Sequence, residues 1–251
     1  MKYLFANTIL VCLIQITSGQ IVNIENIRLH NQNKKGISGN MEVSFNFTKN
    51  TRYITQLGNR NRLYYLRQND TWMLLTDLNY VSSNRQQLVN NGFQHLRYSY
   101  NLKKYKFIVP EAFQQTQYNA IQLIKLRLLA GAGARTCAIN KDSVVLSLGT
   151  FLMGEYEKEA DNRINRHIRY SLFISFDYQF NKYTGLNLIT YYQPDLLGPE
   201  DYRVSNETGI RIKITDKLKY KLVYNLTYDK YPPMGAPQTL YFINNVLNYE
   251  L

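Results

Sequence analysis

The chain has 251 residues, with 30 Lys and Arg against 18 Asp and Glu for a formal charge of +12, and 14% aromatic residues of which 22 are Tyr. A mean hydropathy of −0.37 excludes a helical multispan protein, which needs repeated apolar runs of about 20 residues. The aromatic content excludes a disordered chain, and two cysteines exclude a disulfide-built miniature.

In chain order, Lys2 precedes an apolar run at 9–16 broken only by Gln15, and Thr17, Ser18 and Gly19 follow as small residues. A basic start, a short apolar core and small residues before the cleavage point describe a secretory signal peptide over 1–19. The run is too short to span a bilayer as a helix. Cys12 leaves with the signal, so the exported chain keeps only Cys137 and forms no internal disulfide. Residues 20–36 are expected to be a short periplasmic N-terminal segment, ahead of one domain over 37–251.

From residue 37 the hydrophobic period is two. Twelve ribbons are predicted near 37–49, 52–67, 71–82, 92–102, 105–115, 121–138, 142–156, 165–180, 184–194, 202–215, 217–230 and 239–251, most of them longer than ordinary globular strands. Over 165–180, Ile168, Tyr170, Leu172, Ile174, Phe176, Tyr178 and Phe180 oppose His167, Arg169, Ser171, Ser175, Asp177 and Gln179. Over 217–230, Leu218, Tyr220, Leu222, Tyr224, Leu226 and Tyr228 oppose Lys217, Lys219, Lys221, Asn225, Thr227 and Asp229, with Val223 the exception. Side chains alternate faces along a strand, so each ribbon has one apolar side.

Predicted connections alternate between short ones (68–70, 103–104, 139–141, 181–183, 216) and longer ones (83–91, 116–120, 157–164, 195–201, 231–238). Pro194, Pro199, Pro232, Pro233 and Pro237 lie in or beside the last two long loops, where they cost no ladder hydrogen bonds. This alternation, with apolar faces flanked by Tyr, is the pattern of an all-β transmembrane antiparallel β-barrel of about 12 strands. The competing structure is a soluble β-sandwich or lipocalin-like barrel, whose strands are shorter and whose apolar faces turn inward. At the C-terminus Tyr241, Ile243, Leu247, Tyr249 and Leu251 fall at alternate positions, resembling the terminal signal read by the outer-membrane barrel-assembly machinery.

From residue 121 the sequence resembles the salt-induced outer-membrane protein family, whose conserved region is domain of unknown function 481. The resemblance is carried by Leu-Ala-Gly-Ala-Gly-Ala-Arg at 129–135, Gly154-Glu155-Tyr156-Glu157, Tyr191-Tyr192-Gln193-Pro194, Asp201-Tyr202-Arg203 with Glu207, and Tyr228-Asp229 followed by Pro232-Pro233-Met234-Gly235. The run at 39–50 is a looser match, and 52–118 matches poorly. The resemblance implies an outer-membrane barrel and no activity.

No chemical motif stands out. The Ala-Gly run at 130–134 lies within a strand and opens no helix, so it fails the context of a phosphate-binding loop; its small residues suit bending or close packing of a ring. A hydrolase would need Ser, His and an orienting group; His167 lies four residues from Ser171, about 13 Å along a strand, and is read as a solvated lumen histidine. Glu155, Glu157, Glu159 and Asp161 crowd a predicted outer loop, interleaved with Lys158 and Arg163, and read as an ordinary charged loop. Scattered His and one exported Cys offer no zinc spacing, and no cofactor is expected.

The candidate site is therefore the charge set on the polar faces: Arg127, Arg135, Arg169, Asp177, Glu207, Arg211, Lys213, Lys219, Lys221 and Asp229, with Arg97, Glu42, Asp77 and Glu155 completing a mildly basic lining. Such a lining favours anionic solutes if the bore is open, and fills the interior with ion pairs if it is not. The expected function is a non-enzymatic integral outer-membrane barrel with a structural or envelope-stress role; a narrow channel for small anionic solutes is second and a lipid hydrolase third. Outer-membrane lipids including lipopolysaccharide and the barrel-assembly machinery are the expected partners. Nucleic acid is a poor partner for an exported chain.

Overall fold

In a computed structural model, residues 35–49, 53–102, 104–105 and 107–249 are described. The expected signal peptide and nearly all of the 20–36 segment lie outside these residues. The described residues form no helix. They form twelve strands: β1 (Gly36–Lys49), β2 (Tyr53–Leu66), β3 (Asp70–Ser83), β4 (Gln86–Tyr100), β5 (Ile108–Asn119), β6 (Ile124–Lys141), β7 (Val144–Glu159), β8 (Ile164–Gln179), β9 (Thr184–Pro194), β10 (Tyr202–Lys213), β11 (Leu218–Asp229) and β12 (Thr239–Tyr249). All belong to one antiparallel sheet in chain order, each strand paired with its neighbours in sequence. The all-β, twelve-stranded fold expected from the period of two is the one observed.

Two of the predicted long loops shrink because the strands run on. The Asn-Asn-Gly at 90–92 reads as a turn, but it lies inside β4, where the Tyr118 ring and Leu78 occupy the space a Cβ on Gly92 would need. The true connection is the two-residue turn Asn84-Arg85, both with positive φ (48° and 66°), the twist that joins antiparallel strands without splaying them. The predicted 157–164 loop is similarly cut by β7 reaching Glu159 and β8 starting at Ile164. On the opposite end, the connection expected at 103–104 spans the whole stretch between Tyr100 and Ile108. Loop length therefore alternates less cleanly than the sequence suggests.

The sheet coils tightly. β7 and β10 lie three strand spacings apart, about 14 Å on a flat sheet, yet Arg203 Nη1 of β10 reaches Glu155 Oε1 of β7 at 2.6 Å. The Arg97 guanidinium of β4 likewise sits 5.7 Å from the Phe151 ring centroid of β7. One face is thereby enclosed: Arg169, Ile189, His95, Asn119 and Glu157 are almost fully buried there. The opposite face carries exposed apolar side chains, Leu152, Ile168, Leu172 and Ile174 at 41–48% exposure. Charge inside and apolar surface outside is the inverse of a soluble barrel, and it is the arrangement of a transmembrane one. β1 and β12 end the sheet; among the described residues no ladder joins them, and both faces of β1 are open along most of its length.

The Ala-Gly run explains how an enclosed face can hold bulky rings. Gly131 and Gly133 of β6 point inward, and a Cβ on Gly131 would lie 2.9 Å from the Phe113 ring. Gly149 of β7 leaves the space into which the Phe173 ring fits. Gly154, by contrast, faces open space on the outer side. Gly149→Leu should overfill the interior and destabilise the barrel by about 1–3 kcal/mol, whereas Gly154→Ala should be nearly neutral. The check is the temperature at which the folded, fast-migrating gel band of each variant converts to the unfolded one.

Candidate functional site

Along the enclosed face the side chains form three levels. At the end carrying the β7–β8, β9–β10 and β11–β12 connections, ion pairs dominate. Glu155 of β7 is the centre. Its Oε1 accepts from Arg203 Nη1 at 2.6 Å and lies 3.3 Å from Arg127 Nε, and its Oε2 accepts from Arg169 Nε at 3.0 Å. Arg127 of β6 also pairs with Glu157. Arg203 donates from Nε to Asp229 of β11 at 2.7 Å and approaches Glu157 from Nη2. Arg169 of β8 forks onto Asp201, with Nη1 at 3.2 Å from Oδ1 and Nη2 at 2.9 Å from Oδ2. Five strands and a loop are thus joined through three guanidiniums, each with the planar geometry that suits bidentate carboxylate binding.

The same network fastens the 195–201 loop. His167 Nδ1 hydrogen-bonds Asp195, the Leu197 amide donates to Asp195 Oδ1, and the Arg169 guanidinium reaches the Gln193 and Asp201 carbonyls. His167 is therefore no solvated lumen histidine: it is a loop latch, half-buried. His167, Asp195 and Asp201 hold their ligand atoms within 4.8 Å of one another. Both oxygens of Asp201 are already taken by Arg169, so the cluster suits a latch better than a cation. Burial works against the Asp195 carboxylate, but the Leu197 amide, His167 and Arg169 outweigh it and hold its pKa below the usual range.

The second level is aromatic. Phe93, His95, Phe113, Phe151, Phe173 and Tyr191 form one unbroken run of rings from β4 to β9, with successive centroids 5.4–6.2 Å apart. Offset and edge contacts of this kind add to the burial of the rings themselves. The third level, toward the opposite end, returns to charge. Glu111 of β5 accepts from Arg97 of β4 at 3.1 Å and Arg135 of β6 at 3.2 Å, and Asp177 of β8 pairs with Arg211 of β10 at 2.7 Å. Beyond them Arg211 faces Lys221 and Lys213 faces Lys219 across the β10–β11 ladder.

All ten sequence-predicted charges fall on this one face by register, but their settings differ. Arg127, Arg169 and Asp229 are buried in the ion network; Arg135, Asp177, Glu207, Arg211 and Lys213 are half-buried; Lys219 and Lys221 are exposed. Glu155, Glu157 and Glu159 do not crowd a loop: they alternate along the end of β7 and are all buried, because β7 continues past the point where the sequence reading stopped it.

The sequence reading missed Arg203, Asp195 and Asp201 as partners, and it missed the aromatic level altogether. One signal was available. Phe173 sits between Ser171 and Ser175 at a polar-face position, as do Phe151 and Met153 on β7. Val223, the exception on β11, is another of this kind and is buried.

Fold and the segregation of charge inside from apolar surface outside together define a membrane β-barrel. The family described as "Protein of unknown function, DUF481" matches residues 41–249; the chain belongs to this family. No curated protein matches the sequence. Among solved structures, the chain is similar to the NanC porin, at 11% identity and a TM-score of 0.46 over 86% of this chain and 98% of that one. It is also similar to the KdgM porin, at 13% identity and 0.41 over 82% and 98%. A KdgM porin in complex with disordered oligogalacturonate gives 13% and 0.42 over the same shares. Likeness at this level carries no functional argument.

Glu155→Gln should destabilise the barrel by about 3–5 kcal/mol, because it removes the anion that three buried guanidiniums share; urea unfolding in detergent micelles, followed by tryptophan fluorescence, measures the loss. Acid should loosen the 195–201 loop. A carboxylate with a lowered folded pKa stabilises above its unfolded value of about 3.9 and loses that contribution as pH falls through the folded one. Protease cleavage within the loop should accordingly rise below about pH 4, and Asp195→Asn should raise it already at neutral pH.

Proposed function

We propose that the protein is a non-enzymatic outer-membrane barrel with a structural role in the envelope, its bore closed by its own side chains. The observation that carries this reading is the Arg203–Glu155 bridge, which reaches inward over two intervening strands from β10 to β7, beside the run of rings from Phe93 to Tyr191. A conducting pore needs a continuous wetted path; a run of contacting rings between two ion-paired levels opposes one. Export by the 1–19 signal, insertion by the barrel-assembly machinery, and contact with outer-membrane lipids including lipopolysaccharide complete the proposal.

A hydrolytic role draws no support from the geometry. The Ser171 hydroxyl accepts from Gln193 Nε2 at 3.1 Å and His167 bonds Asp195 through Nδ1; the two are not bonded to each other, so Ser171 and His167 do not assemble a serine–histidine pair.

One observation favours the second reading, a channel for small anions. Arg211 opposite Lys221 and Lys213 opposite Lys219 gather four cations at one end of the bore, offset in part by Asp177 on Arg211 and Asp216 on Lys213; such a basic ring favours anions. The two readings separate in planar bilayers. Folded wild-type protein should give no ion steps under a closed bore, and the Phe151→Ala/Phe173→Ala variant should begin to conduct. Anion-selective steps from the wild type, reduced by Lys219→Gln/Lys221→Gln, would establish the channel instead.

A further inference from the structure

Acids and bases that are mixed along the sequence at the β7–β8 end are sorted by strand parity. On β7, Glu155, Glu157 and Glu159 are buried on the enclosed side, which turns Tyr156 and Lys158 outward. On β8 the exposed Arg166 is outward by the same rule, since Arg169 is buried on the enclosed side. On β6 a register irregularity between Ile124 and Leu126 leaves Lys125 exposed, and its Nζ donates to Asn162 Oδ1 of the β7–β8 turn at 2.8 Å. Three cations thus meet at one rim. Lys158 lies directly opposite Leu126 and Ile164, and Arg166 opposite Tyr156, so Lys158 and Arg166 are diagonal neighbours about 7–8 Å apart. The Arg166 guanidinium sits 6.0 Å from the Tyr156 ring centroid.

Among the described residues Lys158 and Arg166 have no carboxylate partner. Asp161, the acid of the β7–β8 turn, is paired with Arg163 at 3.0 Å. Like charges this close repel, and the inward glutamates of β7 supply no countercharge on the outer side. The depth of the cluster is that of lipid headgroups. On β8 the outward positions run Ile168, Tyr170, Leu172, Ile174, Phe176 and Tyr178, without a polar break. That stretch is about 33 Å long, and a strand tilt of about 40° projects it to about 25 Å, the height of the apolar band of such barrels. Arg166 is the next outward residue beyond the band.

Toward the membrane centre from these cations the wall is shallow and apolar. Ala130 pairs with Gly154, and Gly154 with Ile168. Gly154 is two residues from Tyr156, about 7 Å along β7, and faces open space, with exposed Leu128, Leu152 and Ile168 around it. Cations at headgroup depth above an apolar depression suit an anionic lipid, whose phosphate and acyl chains are joined in that order, better than a free ion. This end of the barrel also carries the longest connection among the described residues, 230–238, and in outer-membrane barrels the longer loops lie on the outer side. Phosphate of the outer leaflet is there the anion within reach. Building on the outer-membrane reading above, we infer that Lys125, Lys158 and Arg166 form a binding site for the phosphate groups of lipopolysaccharide.

The test is lipid binding by the protein purified from membranes in mild detergent, read by native mass spectrometry. Diphosphorylated lipid A, the membrane anchor of lipopolysaccharide, should bind the wild type, and Lys158→Gln/Arg166→Gln should weaken that binding about thirtyfold. Lys182→Gln/Lys217→Gln, which removes the same charge from the opposite end of the barrel, should change it by less than about twofold. Unchanged binding by the first variant overturns the inference, as does an equal loss from the second. So does equally tight binding of dephosphorylated lipid A, or of inorganic phosphate alone at the same concentration. Heat-modifiable gel mobility confirms that each variant is folded. Density-gradient fractionation separates this outcome from the reading beneath it: outer-membrane protein whose variant binds like the wild type loses the site alone, whereas wild-type protein found in another membrane loses both.

Discussion

Backbone polar groups in hydrocarbon have no water to bind, so a membrane-spanning sheet must satisfy them from strand to strand. Everything else follows from that constraint. Twelve strands in sequence order, each 11–18 residues long, give a continuous ladder from β1 to β12, and its pleat sends alternate side chains to two unlike environments. Lipid takes the apolar parity. The enclosed parity must then fill or wet a bore from one side of the sheet only, with whatever the alternate positions supply.

Much of the enclosed parity is charge that would be costly if left unpaired. Burying a guanidinium or a carboxylate is unfavourable unless its partner is present in good geometry. Around Glu155 that condition is met three times over, and the shared carboxylate is what makes Arg127, Arg169 and Arg203 compatible with a dry setting. The ring level beneath needs a different device: Gly131, Gly133 and Gly149 remove side chains from the facing strands so that Phe113, Phe151 and Phe173 can lie across them. Ion pairs hold strands that are far apart in sequence, rings occupy the volume, and glycines make room.

The outer wall shows the same economy in reverse. Where it presents Leu and Ile, it suits lipid. Asn61, Thr76, Gln94 and Thr116 form a polar row within it, one to the next across β2–β5.

The sequence by itself determined the strands and their two faces, since period-two alternation is a local property that survives whatever the chain packs against. Eleven of the twelve strands lie close to where the alternation places them; β4 began late in the reading because Asn90, Asn91 and Gly92 carry turn chemistry that the packing of Tyr118 over Gly92 overrides. It also determined the charge set on the enclosed face, from Arg127 to Asp229. Only the tertiary structure decided what those charges do. Pairing depends on which strands the curvature brings within reach, and nothing in the local pattern connects Arg203 to Glu155 across two intervening strands, or seats Asp195 and Asp201 on His167 and Arg169. The ring level was invisible for the same reason: Phe173 between two serines breaks a pattern when read along β8, and becomes part of a continuous run only when β4 to β9 close around it.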